Sequence, residues 1–271
     1  MPLAHRRAGS GPPLVLLHGI GSQLEMWEPV FDRLTAERDV IAVDLPGFGG
    51  SGPLDETPTV DALARAVTGL LDELGVAGAH VAGNSLGGAV ALEIGGQGRA
   101  DSVCVLSPAG FGNMREGDYA RLVLLAARRG ARLAAPAADR LNAGPVGRTL
   151  LNASMVARPW RIPPAEAAGA LRNLGRSPGF EATLEALADH RFGGEAPSCP
   201  VTVAWGERDR LLLFRRQSAR ARRLLPGARH VTLWGCGHVP TWDDPDQVAR
   251  VLLDASVEAT RSQPPRGAAA V

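Results

Sequence analysis

Three residues whose types suit nucleophilic catalysis stand far apart in the sequence: a serine, an aspartate and a histidine. Ser85 lies in the stretch HVAGNSLGGAV, with Gly83 and Gly87 two residues to either side. This spacing is typical of a sharp turn from a strand into a helix, which exposes the hydroxyl of the serine. Because a serine hydroxyl is a weak nucleophile by itself, the folded chain must place a base beside it.

The base and its acid are expected in two later loops. His238 lies in the stretch GCGHVP, between the last apolar run and a final helix that begins near Pro245. Asp209 follows the run VTVAWG, and Glu207 in the same loop is the second candidate. Either carboxylate would fix the tautomer of the histidine and stabilise its imidazolium form. The other five histidines fit core, edge, terminal or insertion positions: His5, His18, His80, His190 and His230.

Attack on a carbonyl also requires donors for the developing negative charge on its oxygen. The backbone N–H of Leu86, directly after the serine, is one expected donor. The other is expected in the stretch LLHGIG, where the N–H of Ile20 is the first choice and that of Gly21 the second. The loss of one such donor typically costs about 2.7–4 kcal/mol of transition-state stabilisation.

The elements that must position these residues form a regular alternation. Short apolar runs separated by helical patterns predict a mostly parallel, doubly wound α/β sheet with helices on both faces. Residues 59–75 show the helical pattern, with an apolar residue every three or four positions. The runs are LVLLH (14–18), VIAVD (40–44), HVAGN (80–84), SVCVLS (102–107), VTVAWG (201–206) and HVTLWG (230–235).

The alternation stops in residues 113–192, where proline-interrupted helical patterns predict an inserted helical cap, or lid. The sheet domain is expected to comprise residues 1–112 and 193–260, and residues 261–271 are expected to be a disordered tail. The apolar cap residues are candidates either to line a substrate pocket or to form the cap's own small core, and they are Met114, Met155, Trp160, Leu174 and Phe180. Met114, Met155 and Trp160 are the residues expected at the pocket. The insertion has twelve arginines and seven acidic residues, and exposed arginine on solvated helices is the favoured interpretation over anion binding.

Composition excludes several other classes of function. The net charge of +1 gives no field that would draw the chain to nucleic acid or to a membrane surface. The 29 basic residues are all arginine, which excludes lysine nucleophiles and phosphate-binding loops that depend on lysine. Three widely spaced cysteines match neither a disulfide framework nor a zinc site. We therefore expect a cytoplasmic protein that acts on a small molecule, with no metal, no cofactor and no membrane-spanning segment.

Taken in order, these motifs resemble those of the α/β-hydrolase superfamily. The matching pieces are LLHGIG, DLPGFGGS, GNSLGGA, WGERD and GCGHVP. The resemblance implies that Ser85 is the nucleophile, Asp209 the acid and His238 the base. Few residues precede the run LVLLH, so a sheet of about seven strands with a shortened edge is expected.

The resemblance leaves the reaction open. The leading interpretation is a serine hydrolase that cleaves a carboxylic ester, lactone or thioester of a small to medium apolar acid. GNSLGGA is also similar to the corresponding stretch of carbon–carbon bond hydrolases that act on ring-cleavage products. Hydrolysis of a dicarbonyl, or a cyclisation without hydrolysis, is therefore the alternative. A ligand-binding protein without activity is the alternative from another class.

Overall fold

The computed structural model describes residues 2–193 and 196–262. Within these residues the chain forms seven strands and ten α-helices, with short 3-10 turns between some of them. The strands are β1 (His5–Ala8), β2 (Pro13–Leu17), β3 (Asp39–Val43), β4 (His80–Asn84), β5 (Ser102–Leu106), β6 (Val201–Gly206) and β7 (Arg229–Leu233). The helices are α1 (Glu28–Thr35), α2 (Val60–Glu73), α3 (Leu86–Gly96), α4 (Met114–Ala134), α5 (Ala138–Ala143), α6 (Pro145–Asn152), α7 (Pro164–Arg176), α8 (Phe180–Ala186), α9 (Phe214–Leu224) and α10 (Pro245–Ser262).

All seven strands join one sheet in the order β1-β3-β2-β4-β5-β6-β7. The short edge strand β1 is antiparallel to β3, and the remaining neighbours are parallel. The predicted α/β-hydrolase fold, with about seven strands and a shortened edge, is therefore confirmed. The order reverses at β2, which lies between β3 and β4, so the central strand ends meet at a switch point of the kind where ligands bind.

The sheet is covered on both faces because its strands carry apolar side chains on both faces. Val15 and Leu17 pack with α2 and α3 in one buried cluster, whereas Leu14 and Leu16 pack with α1 and α10 in another. The pleat explains this division, since successive side chains of a strand point to opposite faces. Within the described residues, none of the helices combines the length and the apolar character that a bilayer crossing requires.

Helices α4 to α8 follow one another between β5 and β6, and no strand interrupts them. Asn113 and Glu116 begin this stretch with a reciprocal pair of hydrogen bonds, in which each side chain accepts from the other residue's backbone N–H. We call residues 113–192 the cap segment; its status as a separate domain stays a prediction. Of the expected tail, residues 261–262 lie in α10 and residues 263–271 lie outside the described residues.

Candidate active site

Ser85 occupies a sharp turn between β4 and α3. Its backbone angles are φ 56° and ψ −115°, which residues other than glycine rarely adopt. A methyl group added at Gly83 would lie 2.1 Å from the carbonyl oxygen of Gly87. One added at Gly87 would lie 2.2 Å from the carbonyl oxygen of Leu17 on the neighbouring strand. Only glycine fits at these two positions, so the turn can be tight enough to project the serine.

His238 and Asp209 form a buried pair at the same edge of the sheet. Nδ1 of His238 lies 2.8 Å from Oδ2 of Asp209. The other carboxylate oxygen of Asp209 accepts the backbone N–H groups of Leu211 and Leu212, each at 2.9 Å. The loop after β6 therefore holds one oxygen of the carboxylate, and the second oxygen faces the imidazole. An ionised carboxylate can only accept, so Nδ1 carries the proton and Nε2 is left as a proton acceptor.

The loop after β2 passes directly against Ser85. A methyl group added at Gly19 would lie 3.2 Å from Cβ of Ser85. Within the described residues, no hydrogen bond engages the N–H of Ile20 or the N–H of Leu86. Two backbone N–H groups without a partner in the described residues therefore lie on the segments beside the serine, and their role as oxyanion donors stays a prediction.

His18 holds this loop in place and takes no part in the pair. Its Nδ1 donates to the carbonyl oxygen of Gly19 at 2.7 Å, and its Nε2 accepts the backbone N–H of Leu45 at 3.0 Å. Burial lowers the pKa of His18, which favours the neutral ring that this bonding pattern needs. The side chain thereby ties the loop after β2 to the loop after β3.

A cavity of about 500 Å³ opens beside the serine, under the cap segment. Ser85, His238, Ile20 and Met155 all line it, and much of the remaining wall comes from α4 and α7. Of the six histidines, which all lie in the described part of the chain, His238 alone is in contact with this cavity. The volume lies within the range of about 300–1,000 Å³ that is usual for small-molecule sites.

A sequence profile of the alpha/beta hydrolase family matches residues 14–251 of this chain. The chain belongs to the alpha/beta hydrolase family. The dihydrolipoyllysine-residue acetyltransferase component of the acetoin cleaving system from Pseudomonas putida is 33% identical over 251 residues, which are 90% of this chain and 63% of that protein. The chain thus spans less than two thirds of the length of this relative.

Two solved structures extend the comparison to the hydrolase fold as a whole. An esterase from Thermogutta terrifontis matches with a TM-score of 0.74 and 24% identity, over 95% of this chain and 93% of the esterase. A 2-hydroxy-6-oxo-6-phenylhexa-2,4-dienoate hydrolase from Rhodococcus sp. strain RHA1 matches with a TM-score of 0.67 and 25% identity, over 96% and 99% of the two chains. The superfamily resemblance read from the motifs is therefore confirmed.

Two of the three cap residues that were expected at the substrate pocket lie away from the cavity beside Ser85. Met114 is the first residue of α4 and is 76% exposed, and Trp160 lies in a 3-10 turn and is 50% exposed. Neither is part of the cavity wall, whereas Met155 is. Their apolar character suggested that they line a pocket. The side chain of a residue at a helix end or in a turn points in a direction set by the local backbone, and a sequence pattern does not reveal that direction. We correct the expectation for Met114 and Trp160 accordingly.

Glu207, the second candidate for the acid, is engaged elsewhere. Its Oε2 accepts the backbone N–H of Gly235 at 3.0 Å. It therefore braces the turn after β7, while Asp209 alone of the two carboxylates contacts His238.

Asn84 is a site residue that the sequence analysis did not identify. Its Nδ2 donates to the carbonyl oxygen of Leu106 and to the carbonyl oxygen of His238, both at 2.9 Å. The residue is completely buried and directly precedes the serine. It therefore joins the turn around Ser85, which we call the serine turn, to the backbone of the loop that contains His238, which we call the histidine loop. Its place inside the G-x-S-x-G stretch was the available signal, since a fully buried amide needs partners.

Asp243 is the second residue that the sequence analysis missed. Its carboxylate accepts three backbone N–H groups, those of Gly237 at 2.7 Å, Ala157 at 3.0 Å and Arg158 at 2.6 Å. Burial raises the pKa of Asp243, and the three N–H donors act against that rise. The residue connects the histidine loop with the cap segment. The acidic pair at the end of CGHVPTWDD, directly before α10, was the available signal.

Proposed function

We propose that this chain is a serine hydrolase that cleaves a carboxylic ester, lactone or thioester of a small to medium apolar acid. The observation that supports the proposal most strongly is the shared cavity of Ser85 and His238, with His238 paired to Asp209 at 2.8 Å. Ester bonds suit this cavity because its described lining contains no arginine that would neutralise an anionic dicarbonyl substrate.

In the proposed mechanism, Nε2 of His238 takes the proton of the Ser85 hydroxyl as Oγ attacks the substrate carbonyl. The carbonyl π electrons move to its oxygen, which is then bound by the N–H groups of Ile20 and Leu86. When the intermediate collapses, the bond to the leaving group breaks and His238 gives its proton to the departing oxygen or sulfur. Asp209 remains ionised throughout and stabilises the imidazolium.

The second half of the reaction releases the acid. Water gives a proton to His238 and adds to the carbonyl of the acyl-serine ester. Collapse of this second intermediate breaks the bond to Oγ, and His238 returns the proton to the serine. No hydrogen bond joins Oγ of Ser85 to His238 in the structure, and contacts of this kind often tighten only when substrate is bound.

A fluorophosphonate probe tests the proposal directly, because it phosphonylates serine hydroxyls that are activated in this way. The wild-type protein is expected to be labelled, and Ser85→Ala is expected to be unlabelled with an unchanged thermal unfolding curve. Ser107→Ala is the matched control, since Ser107 is a buried serine with positive φ at the end of β5. Labelling of Ser85→Ala equal to wild type, or no labelling of folded wild-type protein, would refute the proposal.

The substrate panel separates the remaining alternatives. Turnover of aryl esters supports the proposal, whereas turnover of vinylogous diketones without esters would support carbon–carbon bond hydrolysis. Ligand binding that is unaffected by Ser85→Ala, without any turnover, would support a binding protein. A cytoplasmic location is also part of the proposal, supported by three widely spaced cysteines whose positions in the sequence match no disulfide framework.

A further inference from the structure

A large part of the cavity wall is formed by residues of α4 and α7, which pack against each other. Ala131 of α4 packs with Leu171 of α7, and both residues also line the cavity. Leu124 and Leu174 extend this apolar wall along the two helices. An apolar substrate group that packed against these side chains would exchange contact with water for aliphatic contacts.

Two glycines of the same helices leave space in this wall. Gly130 in α4 and Gly169 in α7 both line the cavity, and a methyl group added at either position would meet no atom within 4 Å. Glycine in a helix interior costs about 0.5–1 kcal/mol of stability relative to alanine. Close packing does not require these glycines, and a larger side chain at either position has open space beside the cavity wall.

The charged groups of the cavity wall have one sign when His238 is neutral. The wall contains two carboxylates. Glu25 follows the loop after β2, and Glu166 lies in the first turn of α7. Neither forms an ion pair within the described residues, and burial, together with nearby carboxylates that include Glu166, raises the pKa of Glu25. Glu166 lies one helical turn before Gly169, so the two residues share a face of α7.

We propose that the acyl group of the substrate is an uncharged aliphatic chain of medium length that lies between α4 and α7, and that Glu25 and Glu166 exclude acyl chains that end in a carboxylate. This inference rests on the proposed function and specifies its substrate. The aliphatic wall supplies the attraction for the chain. Because neither carboxylate forms an ion pair in the described part of the chain, both are expected to repel an anionic chain end.

Chain length is tested with p-nitrophenyl acetate, hexanoate, octanoate and dodecanoate. The wild-type protein is expected to have its highest kcat/KM with hexanoate or octanoate. Gly169→Leu places a side chain into the open space, so its kcat/KM for octanoate relative to acetate is expected to fall about tenfold or more. The leucine also has the higher helix propensity, so the variant is expected to fold.

Gly69→Leu is the matched control for this arm. Gly69 is likewise a glycine inside a helix, α2, with nothing within 4 Å of an added methyl group, but it does not line the cavity. Its ratio of octanoate to acetate is expected to stay within about twofold of wild type. Equal ratios in wild type, Gly169→Leu and Gly69→Leu would overturn the placement of the chain.

Charge is tested with two eight-carbon esters that differ at the far end, p-nitrophenyl octanoate and p-nitrophenyl hydrogen suberate, at pH 8. The wild type is expected to favour octanoate about tenfold or more. The double variant Glu25→Gln/Glu166→Gln is expected to narrow that ratio several-fold. Glu28→Gln is the control, since Glu28 lies close to Glu25 in the chain, pairs with Arg6 and is outside the cavity wall. A wild-type preference for the suberate ester, or a ratio that the double variant leaves unchanged, would overturn the exclusion of anions.

The labelling experiment distinguishes failure of this inference from failure of the proposed function. Labelling of Ser85 together with turnover of acetate, but with no preference for longer chains, would overturn the inference and leave the hydrolase mechanism standing. Folded protein that is neither labelled nor active on any of these esters would overturn both.

Discussion

Asp243 holds Gly237 and Ala157 with the same carboxylate oxygen, at 2.7 and 3.0 Å. Gly237 immediately precedes His238, and Ala157 belongs to the cap segment. On the other side of the histidine, the N–H of Val239 donates to the carbonyl oxygen of Met155 at 2.8 Å. The backbone around the proposed base is therefore anchored to the cap segment on both sides, although the histidine loop and the cap segment are far apart in sequence.

Replacement of Asp243 by asparagine is expected to weaken this anchor. One carboxylate oxygen becomes an NH₂ group, so at least one buried backbone N–H loses its acceptor, at a cost of about 1–3 kcal/mol. Urea unfolding measures the loss, and ester hydrolysis is expected to show a lower kcat. Asp244→Asn is the control, because Asp244 caps α10 by accepting the N–H of Gln247 and asparagine caps equally well. Equal effects of the two substitutions would contradict the anchor.

Replacement of Asn84 by alanine is expected to act mainly on kcat. The change removes the donor that connects the serine turn to the carbonyl oxygen of His238. A small displacement of the proposed base should lower kcat by about 10- to 100-fold with a smaller change in KM. Steady-state kinetics and the rate of fluorophosphonate labelling measure both effects.

Asn142→Ala is the matched control for Asn84. Asn142 is also fully buried, donates from Nδ2 to a backbone carbonyl oxygen, that of Ala138, and lies outside the cavity wall. Its loss is expected to reduce stability without reducing kcat. If both alanine variants had the same kcat, Asn84 would have a structural role only.

A methyl group at Gly87 is expected to disrupt the serine turn. It would lie 2.2 Å from a strand carbonyl oxygen, so the backbone must shift, and the loss of stability should be about 3 kcal/mol or more. Gly69→Ala, on the open side of α2, should instead raise stability by about 0.5–1 kcal/mol. Thermal unfolding followed by circular dichroism compares the two variants, and identical melting temperatures would refute the argument.

The stability of the protein is expected to fall as the pH falls below about 6.5. Burial lowers the pKa of His18, His80 and His190 in the folded state, whereas the unfolded chain binds protons near the ordinary value of 6.5. The unfolded state then holds more protons, so each histidine reduces the free energy of unfolding by up to about 1.4 kcal/mol per pH unit, until its folded pKa is reached.

Urea unfolding between pH 7 and pH 5 measures this dependence. His18→Asn keeps a donor toward Gly19 but removes one titrating ring, so its slope should be smaller than that of wild type. Asp243 contributes in the opposite direction, because burial raises its pKa. The comparison between wild type and His18→Asn cancels that contribution, and equal slopes would show that His18 is not the group responsible.

The sheet could be predicted because its signals are local. A run such as VTVAWG is apolar on both faces whatever surrounds it, and β6 indeed spans Val201–Gly206. The helix over residues 60–73 likewise follows from its apolar period and from Thr59, whose hydroxyl caps it by accepting the N–H of Ala62 at 3.1 Å. The turn at Ser85 is equally local, since glycine at both flanking positions serves the backbone itself.

The contacts that complete the site are not local, and only the tertiary structure decided them. The choice between Asp209 and Glu207 depends on which carboxylate meets His238 after two strands have paired side by side. Asn84 and Asp243 act on partners 154 and 86 residues away, and no spacing in the chain marks those partners. The sequence alone determined the elements of the fold and the serine turn, because each depends on propensities and backbone space within one short segment. The order of the catalytic candidates can be read directly along the chain. Which cap residues face the cavity was decided only by the packing of α4 against α7, because the direction of a side chain there depends on how the two helices meet.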